Sequence, residues 1–184
     1  MNDVLKDAES RMKKSIESLK SEFNSIRIGK ATPALLDNIR VEYYGTNVPL
    51  NQVSNISAPE PRLLVIQPWE KDMVAEVNKA IQKSELGLNP SVDGQIIRIP
   101  IPPLSEERRK ETAKLVKKTG EEGKIAIRNI RRDANDTLKS AEKEKEISED
   151  EMRKGFDRVQ ELTDKYTAKV DEMIESKEKE VMEV

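Results

Sequence analysis

Ten basic side chains crowd into residues 108–132, against three acidic ones. Six of them, Lys110, Lys114, Lys117, Lys124, Arg128 and Arg131, recur at steps of 4, 3, 7, 4 and 3 residues. Such steps return to one face of an α-helix. Lys118 and Arg132 widen the band. A local excess of seven positive charges repels itself unless anions are supplied from elsewhere. Guanidinium forks suit phosphate pairs, and a helix holds them in register. No aromatic residue lies in this block, so stacking on single-stranded bases is disfavoured. Recognition of structured RNA through phosphates and shape fits better. The competing reading is internal: residues 133–184 carry ten basic and seventeen acidic side chains, and an acidic neighbouring helix could neutralise the basic one.

Other chemistry is thinly supplied. The chain has no histidine and no cysteine. It therefore lacks the usual general base near neutrality, a thiol nucleophile, disulfides and thiolate metal sites. Gly120-Glu-Glu-Gly123-Lys124 only superficially resembles a phosphate loop: its spacing is wrong, it falls inside a helical pattern, and carboxylates stand where phosphates would bind. The acidic pairs Glu121–Glu122 and Glu149–Asp150 read as solvated helix surface. No catalytic residue, cofactor site or metal site emerges, and a non-enzymatic protein is expected. The longest uninterrupted apolar run is Leu63–Ile66, too short for a membrane span or a signal peptide. No transit segment is recognisable, so the expected location is cytoplasmic.

The elements that carry the basic band follow from proline placement. All nine prolines lie between Pro33 and Pro103, which leaves long flanks free to be helical. Apolar residues make up only 35% of the chain against 37% charged, with six aromatics, too little apolar mass for one compact globule of this length. That balance suits helices that bury one narrow stripe each. Residues 3–28 carry such a stripe at Leu5, Ala8, Met12, Ile16, Leu19, Phe23 and Ile26, with Gly29 as the expected cap. A second helix should begin at Ser105 and run about 40 residues, or about 60 Å. Its stripe reads Ala113, Val116, Gly120, Gly123, Ile127, Ile130, Ala134, Thr137 and Ala141, and its small residues suggest a close helix neighbour. The third helix opens with a capping box, Ser148-x-x-Glu151. A short connection makes helices two and three antiparallel.

The prolines enclose a different grammar. Ile39–Tyr44, Val53–Ser57, Leu63–Gln67 and Ile96–Ile99 read as strands. Turn signals at Gly45–Thr46–Asn47, Pro59–Glu60–Pro61 and Asp93–Gly94 separate them. One helix fits Asp72–Ser84, with Met73, Val77, Ala80 and Ile81 facing inward. The fold class is therefore α+β: a three-helix bundle from residues 1–30 and 104–184, and a small β/α/β domain inserted at 31–103. Two adjacent linkers, Gly29–Pro33 and Ile101–Pro103, join them and could act as a hinge.

Ile127-Arg-Asn-Ile-Arg-Arg-Asp-Ala-Asn-Asp136 resembles the signature of the bacterial ribosome recycling factor family. Ile26–Pro33, Val41–Gly45 with Pro49–Leu50, Leu86–Pro90 and Pro102–Lys110 are similar to further family segments, in order along the whole chain. The resemblance implies an L-shaped arrangement of the two domains. It also implies a monomer that binds the large ribosomal subunit through rRNA after termination. Elongation factor G with GTP then drives subunit separation and release of mRNA and deacylated tRNA, with the inserted domain taking the push. By motif match, Arg128, Arg131 and Arg132 would be the main rRNA contacts. Lys117 and Lys124 belong to the same band; Arg27, Lys30, Arg108 and Arg109 are further candidates, for which structural ion pairing is an equal reading. Gly29, Lys30, Pro102 and Pro103 would be hinge elements. Ile28 stands where the family usually has a small hydroxyl residue, and Glu85 where it usually has aspartate.

Three other functions share parts of this pattern. A coiled-coil adaptor would bind protein without salt sensitivity. A carboxylate-based hydrolase would need a pocket with paired acids. A hibernation or anti-association factor would share the basic face but hold subunits together or apart without splitting them with GTP.

Overall fold

The computed structural model describes residues 1–183. Four α-helices and six strands follow one another as α1 (Asn2–Ser25), β1 (Arg40–Tyr43), β2 (Thr46–Pro49), β3 (Ser54–Glu60), β4 (Leu63–Pro68), α2 (Met73–Lys83), β5 (Ser91–Asp93), β6 (Ile96–Pro100), α3 (Glu106–Lys143) and α4 (Glu149–Met182). The chain divides into two compact units. One joins Met1–Ile26 to the chain from Arg109 onward; the other is Arg27–Arg108.

In the helical unit, α1 buries Ala8, Met12, Leu19 and Phe23. It ends at Ser25, earlier than its apolar stripe suggests, because Ile26 turns to an extended backbone. Gly29 therefore caps nothing: it lies beyond the helix at φ +73. Ser105 does cap α3, its Oγ accepting from the Arg108 N–H at 3.3 Å. Across α3 the buried positions are Val116, Gly120, Ile127, Ile130, Ala134 and Leu138. The stripe thus ends on Leu138 and leaves Thr137 exposed, the drift expected of a 3.6-residue repeat. The small residues admit neighbours as anticipated. A Cβ at Gly120 would fall 2.3 Å from the Ile174 side chain of α4, and one at Gly155 of α4 would fall 2.8 Å from Leu138.

The α3–α4 connection is built from two caps. Glu146 N–H donates to Ala141 O at 2.9 Å and Lys145 N–H to Glu142 O at 2.9 Å, the Schellman pattern. Lys145 takes the left-handed conformation, φ +61, where glycine is the usual residue. Ser148 and Glu151 then form the capping box, each side chain accepting from the other's backbone N–H.

In the inserted unit a four-stranded antiparallel sheet has the order β3-β4-β6-β5, beside a two-stranded β1-β2 ribbon. Strand β4 alternates, burying Leu64, Ile66 and Pro68, and β6 buries Ile97 and Ile99. Helix α2 covers them with Met73, Val74, Val77 and Ile81, while Ala80 is only partly buried. Two short strands, β2 and β5, are absent from the sequence reading. The first turn is Tyr44–Gly45, with φ of 47 and 78, and Thr46 and Asn47 pair with Tyr43 and Glu42. That is a two-residue hairpin whose turn carries a tyrosine in the position sequence statistics give to asparagine or glycine. Asp93 likewise pairs with Ile96 rather than turning. Strand β3 runs through Pro59 to Glu60 by way of a register shift, so the turn there falls at Pro61 and Arg62.

Candidate nucleic-acid interface

The basic residues of α3 sit on a helix whose opposite face is buried, and this splits them in two. Lys117, Lys124 and Arg131, spaced by seven residues, lie along the seam with α4. Lys117 Nζ is 3.6 Å from Glu178 Oε1, a charge contact too long for a hydrogen bond. Lys124 is bonded to Asp171 and lies 3.1 Å from Glu121, and its side chain is only 15% exposed. The Asp171 hydrogen bond holds the Lys124 ammonium above the ordinary lysine range despite the opposing cost of burial. Arg131 donates to Gln160 Oε1 at 3.3 Å, and Gln160 in turn donates to Asp164 at 2.8 Å. Glu178, Asp171 and Asp164 are also spaced by seven, as an antiparallel seam requires.

Arg128 and Arg132 are exposed, as are Lys114 and Lys118. Among the described residues none of the four side chains has an ion pair or hydrogen bond. The nearest acidic neighbours of Arg128 and Arg132 in sequence are occupied: Asp133 is bridged to Arg11 of α1 at 2.7 Å, and Asp136 to Lys139 at 3.7 Å. The positive field of these two arginines is therefore not cancelled by the acids next to them in sequence. Unpaired guanidinium groups on a regular helix are suited to phosphate oxygens, which they meet as bidentate forks.

The remaining candidates are dispersed. Arg27 is exposed and donates to the backbone carbonyl of Glu85 at 3.1 Å, within the inserted unit. That contact uses no side-chain atom of Glu85, so aspartate at this position would serve equally. Arg109 is half-buried on the inner side of α3 with its Nε unpartnered. Lys30 is half-buried and Arg108 exposed; both are engaged. Ile28 is buried. Gly29 packs on Leu104, whose backbone N would be 3.0 Å from a Cβ placed there. Pro102 and Pro103 are exposed. On either side, Ala31 N–H donates to Pro61 O at 2.7 Å and Ile101 N–H to Arg62 O at 2.8 Å. Both linkers are thus tied to one turn of the inserted unit, and Gly29, Lys30, Pro102 and Pro103 lie just outside those ties.

Sequence reasoning named no surface on the inserted unit. Tyr44 and Trp69 are 83% and 65% exposed there. Both tyrosine hydroxyls, Tyr43 at 2.5 Å and Tyr44 at 3.1 Å, donate to the Glu70 carboxylate. Their rings meet edge-on at 4.5 Å. The adjacent tyrosines were visible in the sequence, but only the hairpin turn brings both hydroxyls to one carboxylate.

The profile of the ribosome recycling factor family matches residues 19–182. A ribosome-recycling factor of Carboxydothermus hydrogenoformans is 55% identical over 184 residues, the whole of both chains. One from Halalkalibacterium halodurans is 57% identical over 182 residues, covering 99% of this chain and 98% of the relative. Among solved structures, a solution structure of the ribosome recycling factor superimposes with a TM-score of 0.83 at 44% identity, covering 100% of this chain and 97% of the other. A second, at 46% identity and TM-score 0.70, covers 99% and 98%. It belongs to models of the T. thermophilus ribosome recycling factor and the E. coli elongation factor G bound to the E. coli post-termination complex. Full-length identity of this order, together with the same arrangement of helical and inserted units in sequence, leaves one conclusion: the chain belongs to the ribosome recycling factor family.

Proposed function

We propose that this protein acts on the ribosome after termination. As a family member it is a translation factor and not an enzyme. The observation that carries the activity is the full-length match at 55% identity to ribosome-recycling factors. With elongation factor G and GTP, the protein separates the subunits and so frees mRNA and deacylated tRNA. It works as a monomer in the cytoplasm, and no described helix is long and apolar enough to cross a membrane.

The helical unit supplies the rRNA contact on the large subunit. The unpaired guanidinium groups of Arg128 and Arg132 support this, with Arg131 beside them and Lys117, Lys124, Arg108, Arg109, Arg27 and Lys30 contributing positive field or structure. Affinity that rests on phosphates falls steeply with salt. Gly29, Lys30, Pro102 and Pro103 serve as the hinge. The left-handed Gly29 supports this, because a side chain there would be strained at φ +73 and crowded by Leu104. The Gly29→Ala variant should keep its affinity for large subunits while splitting fewer of them per unit time. A variant that splits normally would remove Gly29 from the hinge.

The activity is tested by omission. Light scattering from post-termination ribosomes should fall on addition of the protein with elongation factor G and GTP, and stay level when either is withheld. A level trace with all components present would refute recycling and favour an adaptor or a hibernation role.

A further inference from the structure

The seven-residue seam of Lys117, Lys124 and Arg131 faces α4, so it leaves a second line of residues on the side of α3 opposite its buried stripe. Lys114, Lys118, Glu121, Ile125, Arg128 and Arg132 follow one another at steps of 4, 3, 4, 3 and 4. All six are exposed. The single acid among them, Glu121, is bonded to Lys124 and so brings little net negative charge to the line. Ile125 is 50% exposed, an apolar side chain in the middle of a cationic ridge.

We propose that Lys114 and Lys118 form a second phosphate clamp on this ridge, in addition to that of Arg128 and Arg132 in the arginine cluster. The inference rests on the rRNA-binding reading above. Each clamp is a pair of cations one helical turn apart, about 6 Å along the axis. Lys118 and Arg128 are separated by about 15 Å of helix. The two pairs therefore reach separate stretches of backbone on a folded RNA, and Ile125 lies between them against ribose or a base face. This is a recognition by shape, suited to the wide, shallow minor groove of an A-form helix. Lys117 and Lys124 fix the register of α3 on α4 instead. Their charges are already met by Glu178 and Asp171, and pulling them away to a phosphate would leave those carboxylates unpaired.

The test compares three paired substitutions in the full-length protein: Lys114→Gln with Lys118→Gln, Arg128→Gln with Arg132→Gln, and Lys117→Gln with Lys124→Gln. Binding to purified large ribosomal subunits is followed across a salt series, beside thermal melting. Each ridge pair should flatten the slope of log affinity against log salt by about one per cation removed, with the melting temperature unchanged. The seam pair should lower the melting temperature and leave the slope as in wild type. An unchanged slope for the Lys114/Lys118 pair, with a flattened one for Arg128/Arg132, would overturn the second clamp and spare the rRNA reading. A slope flattened equally by the seam pair would overturn the division of roles. Unchanged slopes for all three would overturn the rRNA-binding reading itself.

Discussion

At the scale of single residues, the seam and the caps make the clearest statements. Lys145 holds a left-handed backbone at the end of α3, where a Cβ is crowded by the following carbonyl. Lys145→Gly should therefore stabilise the protein by about 1 kcal/mol, read as a higher urea midpoint at unchanged slope. A lower midpoint would mean that the lysine side chain makes a compensating contact. Glu9 gives the pH-dependent case. The buried Tyr166 donates to its carboxylate at 3.1 Å, and Lys13 and Lys165 lie nearby, so its pKa is held below the ordinary 4.5. A carboxylate with a lowered folded pKa adds stability above the unfolded value, and that stability is lost as pH falls through the folded one. Tyr166→Phe removes the largest cause. The variant should lose less stability than wild type between about pH 7 and about pH 3, in urea melts at each pH. Equal losses would show that the hydrogen bond does not shift Glu9. Of the caps, Ser105 and the Ser148–Glu151 box were legible beforehand, because capping is written within four residues. The Tyr166–Glu9 bond joins residues 157 apart and leaves no local trace.

At the scale of elements, proline placement and apolar spacing located α1, α2, α3 and α4 to within a few residues. The short strands β2 and β5 were lost to a different physics. Each has three or four residues, pairs on one side only and buries little, so it carries no alternation to find. Small residues in α3 were read as a close helix contact, and the distances bear this out with a gradation. A Cβ at Gly120 would meet Ile174 at 2.3 Å, but one at Gly123 meets only a Leu19 methyl at 3.1 Å. Alanine favours the helix at both sites by about 1 kcal/mol. Overpacking against Ile174 opposes that gain at Gly120. Gly120→Ala should consequently be less stable than Gly123→Ala by about 1 kcal/mol or more, in chemical denaturation. The reverse order would mean that α4 shifts at little cost. The basic band shows the limit of the same reasoning. Periodicity put Lys117, Lys124 and Arg131 with Arg128 on one face, since all fall within a quarter turn or so of one another. Which of them faces α4 depends on where the carboxylates of α4 fall, and one helix's sequence does not state that.

At the scale of the whole molecule, a chain with little apolar mass is divided into a unit of helices that each bury one stripe and a mixed unit built round one contiguous apolar cluster. Both rival readings of the basic block find support, on different residues. Internal neutralisation by the acidic last helix describes the seam; unpaired positive charge describes the outer ridge. The family's shared sequence segments reach the function where composition could not, because subunit splitting leaves no catalytic group to recognise. The central claim is that the arginine cluster of α3 couples this protein to the ribosome for recycling. It is tested most directly by light scattering of post-termination ribosomes with elongation factor G and GTP, with wild type beside a variant in which Arg128, Arg131 and Arg132 are all glutamate. Wild type should produce the fall in scattering that marks subunit separation, and the variant, with its helicity intact by circular dichroism, should not. A variant that splits ribosomes as fast as wild type would contradict the account.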